Sequence, residues 1–246
     1  MNNPSNGFVQ NIWCSMGKPF RNNLIMLSNI YKYSIRGKPN PFMDMKKLIE
    51  KNNPVIVDGG ANNGGTITTL KQYFPKSTIL AFEPLESLGL EENTKKFENV
   101  HIEYLALGEE NKSVLFNEMN YPDTSSVFVH RESDTLQYLK VKEKKKVNMV
   151  SLDSWSEKEH FKDINIIKLD LQGYELNALK GSKNLLESTV KIVYVECSFK
   201  EFYIGQPLFC DIYQFMTSCG FEIYNIYRES SKKPLGFVDV LFVRGL

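Results

Sequence analysis

Between Pro54 and Val243, short apolar runs alternate with segments whose apolar residues recur at a helical period. Val55-Ile56-Val57 ends in Asp58-Gly59-Gly60, and Thr66–Phe74 then reads as a helix. Thr78–Phe82 is a second apolar run, Ser87–Phe97 a second helix and Val100–Leu107 a third run. Ile164–Leu169, Lys191–Val195, Phe221–Tyr227 and Val238–Val243 continue the series. Continuously apolar strands separated by helices predict a parallel sheet covered on both faces, an α/β fold.

Two stretches break this rhythm. From Glu109 to Val150, Ser113–Phe116 and Tyr138–Val141 read as strand pieces, Lys142-Glu143-Lys144-Lys145-Lys146 is a charge run, and Val147–Val150 resumes strand character. This predicts β-hairpin material inserted over about 109–150, with the lysines at a solvated hairpin tip. Residues 1–53 are punctuated by Asn, Pro and Gly but hold two helical patterns, Asn22–Tyr33 and Phe42–Lys51. They predict a helical N-terminal segment ahead of a main domain at 54–246.

Composition narrows the function classes. The 246 residues are 42% hydrophobic and 24% charged, too apolar for a disordered chain. Lys and Arg number 30 against 29 Asp and Glu, and 25 of the cations are Lys. With no basic excess and few Arg forks, no nucleic-acid partner is expected. No apolar run reaches the roughly 18 residues of a membrane span, and the first 30 residues lack the order of a signal peptide. Cysteines at 14, 197, 210 and 219 form no CxxC pair, which predicts free thiols in a reducing, cytoplasmic setting. Histidines at 101, 130 and 160 are too scattered for a zinc site, and no metal site is evident, although Asp170 and Glu196 could share one if they converge.

The strongest local signal is Asp58-Gly59-Gly60-Ala61-Asn62-Asn63-Gly64-Gly65, where a strand ends in an acid, turns through glycines and opens a helix. Glycine permits the sharp turn and close approach of backbone to a ligand, and helix N–H groups favour a negative group. Glu83 ends the next strand, where a carboxylate can accept both ribose hydroxyls of an adenosine cofactor. A nicotinamide dinucleotide and S-adenosylmethionine both fit such a frame. Ala61 replaces the middle glycine of the dinucleotide fingerprint, and Asp58 suits the cationic ammonium and sulfonium of S-adenosylmethionine better than a pyrophosphate. A catalytically silent binding module of the same fold is the third reading.

These motifs resemble those of the FkbM family of S-adenosylmethionine-dependent methyltransferases. The resemblance rests on the loop at 58–65, Ala81-Phe82-Glu83-Pro84, Ala106-Leu107-Gly108, Ser125-Ser126, Val150-Ser151-Leu152-Asp153 and Val195-Glu196. Its closest element is Lys168-Leu169-Asp170-Leu171-Gln172-Gly173-Tyr174-Glu175, similar to the family's K-x-D-x-E-G-x-E with Gln172 where glutamate is common. The resemblance covers about Pro54 to Val243. It implies a class I methyltransferase (Rossmann-like) seven-stranded sheet of order 3-2-1-4-5-7-6 whose final strand is antiparallel. It also implies O-methylation of a small-molecule, sugar or glycolipid hydroxyl. The cofactor site so implied comprises Asp58, Gly59, Gly60, Ala61, Asn62, Gly64, Glu83, Pro84, Ala106 and Ser126.

Methyl transfer to a hydroxyl needs position, a dry cavity and removal of a proton. Ligands of open α/β sheets bind beyond the carboxyl ends of the strands, near the switch in strand order. Asp170 and Glu196 end strands at that edge, so Asp170 is the first candidate to deprotonate the acceptor and Glu196 a candidate for sugar hydroxyls or for pairing with Lys168. His130, in the insertion beside Ser125-Ser126, titrates near neutrality and is the second candidate base.

Overall fold

The computed structural model describes residues 40–131, 139–227 and 236–245. Helix α1 (Pro41–Leu48) leads into β1 (Val55–Gly59), α2 (Gly65–Tyr73), β2 (Thr78–Phe82), α3 (Leu90–Thr94) and β3 (Val100–Glu103). The chain then makes β4 (Ala106–Leu107), β5 (Lys112–Met119) and β6 (Val141–Val150), followed by α4 (Leu152–Lys158) and β7 (Ile164–Leu169). Helices α5 (Glu175–Lys180) and α6 (Lys183–Ser188), β8 (Ile192–Ser198), α7 (Phe209–Ser218), β9 (Glu222–Tyr227) and β10 (Phe237–Val243) complete it. The main sheet has the order β3-β2-β1-β7-β8-β10-β9. Its β10 runs antiparallel to both neighbours, and its other pairs are parallel. Both the α/β class and the order implied by the resemblance are present. Order reverses between β1 and β7, where successive loops part and leave a crevice at the carboxyl edge.

Burial on both faces explains the unbroken apolar strands. All six residues of β7 are buried. On one face Ile56, Ile166, Ile192 and Leu241 meet Ile67 and Leu70 of α2 and Met45 of α1. Each such aliphatic side chain contributes about 1.5–3 kcal/mol on burial. Helix α1 starts at the Asn40 cap, whose side chain accepts from Met43 N–H at 3.1 Å, with Pro41 at the first helical position. Its Phe42 stacks on Tyr73, and its Asp44 accepts from the Tyr227 hydroxyl at 2.8 Å. The expected Phe42–Lys51 helix is therefore present in shortened form, and its apolar side joins the sheet's core. The expected Asn22–Tyr33 helix lies outside the described residues.

Three expectations need correction. The run Val100–Leu107 is not one strand. It leaves the main sheet after Glu103, and Ala106–Leu107 pair instead with Met149–Val150 in a three-stranded sheet of order β4-β6-β5. Helix Ser87–Phe97 shrinks to Leu90–Thr94 because Gly89, at φ 72°, breaks the turn before it. The lysine run is not a hairpin tip. Lys142–Lys146 lie inside β6, paired with β5. Glu118 of β5 is 3% exposed and is neutralised by Lys142 and by Lys145 at 2.6 Å. A ribbon with one wet face accommodates the remaining charges.

Candidate active site

A cavity of about 350 Å³ opens at the carboxyl ends of β1, β2 and β7. Its floor is the turn after β1, and its far wall comes from the insertion through Phe116, Asp123, Ser125 and Val127. Gly60 (φ 75°), Asn62 (φ 48°) and Gly64 (φ 85°) all adopt the left-handed region, so the turn reverses within a few residues. Gly60 allows the close approach of two loops, since a Cβ there would stand 2.0 Å from the Asp170 carbonyl oxygen. Asp170 N–H donates to the Gly59 carbonyl at 3.1 Å, which ties the ends of β1 and β7 together.

Glu83 lines the cavity with both carboxylate oxygens anchored. Oε2 accepts from Asn62 N–H at 3.1 Å and Oε1 from Leu85 N–H at 3.0 Å. Burial pushes its pKa up, and the two N–H bonds oppose that shift. A carboxylate has about four lone-pair sites, so two remain for hydroxyls in the cavity.

Asp58 is fully buried and lies beneath the cavity, outside its lining. Its Oδ1 is 3.0 Å from Lys168 Nζ on the neighbouring strand, where the two residues are register partners. Burial alone would lower the Lys168 pKa, but the Asp58 and Asp170 carboxylates outweigh it and hold the ammonium charged. Pairing of Lys168 with Glu196, one of the two readings of that glutamate, is thus replaced by a pair with Asp58. Gly59 and Gly64 also lie outside the lining. Gly64 faces Thr94 and Leu90, where a Cβ would meet Thr94 Cγ2 at 2.6 Å. Gly60, Ala61, Asn62, Glu83, Pro84 and Ala106 do line it. Ser126 sits one residue from the wall, with its hydroxyl donating to the Gln172 carbonyl at 2.7 Å.

Asp170 lines the cavity and meets two further acids, Glu175 and Glu196, with carboxylate oxygens all within 4.8 Å of one another. Such an all-oxygen trio could hold a hard divalent cation or share protons. Burial pushes the Glu175 carboxyl up to about 7. Burial, then Asp170, Glu175 and Asp239 as like-charged neighbours, push Glu196 up to about 9. Glu175 holds the turn after β7, accepting from Leu171 N–H at 2.7 Å and Gly173 N–H at 3.2 Å.

The insertion is clasped over this edge. Asn62 Nδ2 donates to Asp123 Oδ1 at 2.6 Å, and the Tyr203 hydroxyl reaches the Thr124 carbonyl at 3.0 Å. His130 does not line the cavity. It bridges to Tyr203 through the backbone, its ring 5.3 Å from the Tyr203 ring, and burial lowers its pKa. Sequence reasoning left Glu175, Asp123 and Asp239 without roles at the site. Asp239 did carry a signal, as the lone charge in the apolar run Val238–Val243. The hydrogen bonds of Tyr203 carried none, because its partners are 31 and 79 positions away in sequence.

Comparison with known proteins agrees with this geometry. A model of the methyltransferase FkbM domain matches residues 58–223. The 2-O-methyltransferase NoeI of Sinorhizobium fredii (strain NBRC 101917 / NGR234) is 27% identical over 169 residues, which are 65% of this chain and 69% of that protein. The crystal structure of the methyltransferase FkbM from Methylobacillus flagellatus KT is similar at TM-score 0.54 and 14% identity. That match covers 87% of this chain and 49% of the other, so this chain spans about half its length. The fibrillarin pre-rRNA processing protein of Methanococcus jannaschii is similar at TM-score 0.50 and 12% identity, over 86% of this chain and 72% of that one. At these identities the two solved structures speak for the fold alone.

Proposed function

This chain belongs to the FkbM methyltransferase family and is an S-adenosylmethionine-dependent methyltransferase, and we propose that it methylates a hydroxyl oxygen of a sugar, glycan or glycolipid. Family membership removes the nicotinamide reading that the loop alone left open. The observation that carries the proposal is the placement of Asp170, a cavity-lining carboxylate with one oxygen held by Gln172 Nε2 at 2.7 Å and the other without a partner among the described residues. The relative's name, a 2-O-methyltransferase, supports oxygen as the accepting atom.

S-adenosylmethionine supplies a methyl group on a sulfonium that departs as a neutral thioether. Glu83 would accept hydrogen bonds from its ribose hydroxyls, Leu105, Leu107 and Phe116 would flank its base, and the 60–62 turn would meet its methionine end. The free oxygen of Asp170 would take the proton of the acceptor's hydroxyl, leaving the acceptor's own oxygen as the nucleophile for that methyl group. Glu196 lies behind Asp170, outside the cavity lining, and burial with its acidic neighbours pushes its carboxyl up to about 9, so it does not compete as base near neutrality. Carboxyl groups at this edge match a polyhydroxylated acceptor, which offers donors and acceptors in turn. A nucleic-acid acceptor is disfavoured by near-neutral charge. Among the described residues no helix is long and apolar enough to cross a membrane. Cys197, Cys210 and Cys219 are free thiols, which supports a cytoplasmic setting.

The test is transfer of a radiolabelled methyl group to a panel of methyl glycosides. Asp170→Asn should lower turnover about 10²-fold or more, with cofactor affinity by calorimetry nearly unchanged. Collapse of cofactor binding together with turnover would move Asp170 into the cofactor site and refute it as the base. Unaltered turnover would refute the assignment.

A further inference from the structure

Asp170 is anchored from one side. Its Oδ1 receives Gln172 Nε2 at 2.7 Å, while Oδ2 has no partner among the described residues. Gln172 is itself held at several points. Its Oε1 receives the Tyr203 hydroxyl at 2.9 Å, its carbonyl receives Ser126 Oγ at 2.7 Å, and its backbone sits at φ 53°, a region side chains disfavour. Tyr203 is 5% exposed, and its hydroxyl also lies 3.0 Å from the Thr124 carbonyl.

We propose that Gln172 and Tyr203 are positioning residues for Asp170, turning its one unengaged oxygen toward the acceptor; this rests on Asp170 serving as the acceptor's base. A glutamine amide has two orientations. An ionised carboxylate repels the amide oxygen and attracts the NH2, so Asp170 selects the orientation with Nε2 facing it. That leaves Oε1 facing Tyr203, whose hydroxyl donates there. The two neighbours thus favour one amide orientation, and the amide in turn fixes the rotation of the Asp170 carboxylate. The hydroxyl has one proton, so the Thr124 carbonyl competes with Gln172 Oε1 for it, and the chain that orients the carboxylate is Tyr203–Gln172–Asp170. A glutamate at 172 would lack the proton to donate and would add a charge beside Asp170. The groups facing Asp170 are Glu175 and Glu196, within 4.8 Å, and Lys168, already paired with Asp58 at 3.0 Å.

Gln172→Met, Gln172→Glu and Tyr203→Phe, with Asp170→Asn in parallel, are assayed by methyl transfer to methyl glycosides from pH 5 to 10. Gln172→Met should lower kcat about 10-fold, with acceptor KM and cofactor Kd within about threefold. Gln172→Glu should move the acidic limb of the kcat profile up by about one pH unit, with turnover recovering above it. Tyr203→Phe should lower kcat by about 3–10-fold without moving the limb. Wild-type kcat and limb in all three, beside an inactive Asp170→Asn, would overturn the positioning role and leave the base intact. Equal losses in KM, Kd and melting temperature would overturn it too, since a structural role predicts that pattern. An active Asp170→Asn would remove the base and this proposal together.

Discussion

Asp239 of β10 stands directly opposite Glu196 of β8 in their antiparallel pair. Like charges in that relation destabilise a sheet. Asp239 is engaged by the Tyr194 hydroxyl, and Asp170 ends the next strand over, so acids fall at corresponding levels on three adjacent strands. Lys168, a buried cation beside them, is committed to Asp58 at 3.0 Å. The economical solution is a proton on Glu196, whose pKa burial and its acidic neighbours push up to about 9.

That arrangement makes stability depend on pH. Glu175 and Glu196 rise from 4.5 in the unfolded chain to about 7 and about 9 in the fold. Between those values the native state binds more protons than the unfolded one. Their contribution is therefore fully present below pH 4.5 and is lost as pH rises through about 7 and then about 9. Melting temperature should fall across that window, and Glu196→Gln, which keeps a neutral side chain of the same shape, should flatten the fall. A slope unchanged in Glu196→Gln would show that Glu196 is ionised in the fold.

Glu83→Ala should weaken S-adenosylmethionine binding by about 10–100-fold, the cost of hydrogen bonds to a charged acceptor. It should also lower stability, because Asn62 N–H and Leu85 N–H lose their acceptor. Glu83→Gln separates the two effects, since one carbonyl oxygen remains. Calorimetry and thermal melts on both variants are the measurements, and full affinity in Glu83→Ala would remove Glu83 from the cofactor site.

The glycines of the turn should fail in different ways. Gly60→Ala drives a Cβ to 2.0 Å from the Asp170 carbonyl oxygen, so it displaces the β7 end and should abolish cofactor binding. Gly64→Ala meets Thr94 and Leu90 instead, in a left-handed backbone, and should cost about 1–3 kcal/mol of stability. Its cofactor affinity should fall less than in Gly60→Ala. Urea titrations paired with calorimetry distinguish the two.

The strands were legible because burial on both faces leaves long apolar runs, as in β7, and the glycine turn because few residues adopt φ near 75°. Lys142–Lys146 misled because charge density alone does not distinguish a tip from a wet strand. What decides it is Glu118, 24 positions from Lys142 and buried beneath the lysines. At the site, Asp170 and Glu83 were legible from their places at strand ends. The Asp58–Lys168 pair was not, since register partnership between β1 and β7 is a property of the sheet and leaves no local pattern.

That pair gives the sharpest test of what Asp58 does. Lys168→Met would leave the fully buried Asp58 without its cation and should cost about 3–5 kcal/mol. Asp58→Leu with Lys168→Met removes both charges and should cost less than Lys168→Met alone, because an apolar pair of similar volume needs no desolvation. Urea unfolding of the two single variants and the double one supplies the cycle. Cofactor affinity then decides the role. Asp58 lies outside the cavity lining, so a double variant that recovers stability should also recover most of its affinity for S-adenosylmethionine. If stability returns while affinity stays lost, the pair itself contributes to cofactor binding, through the Asp58 charge beneath the floor or through Lys168, which lines the cavity.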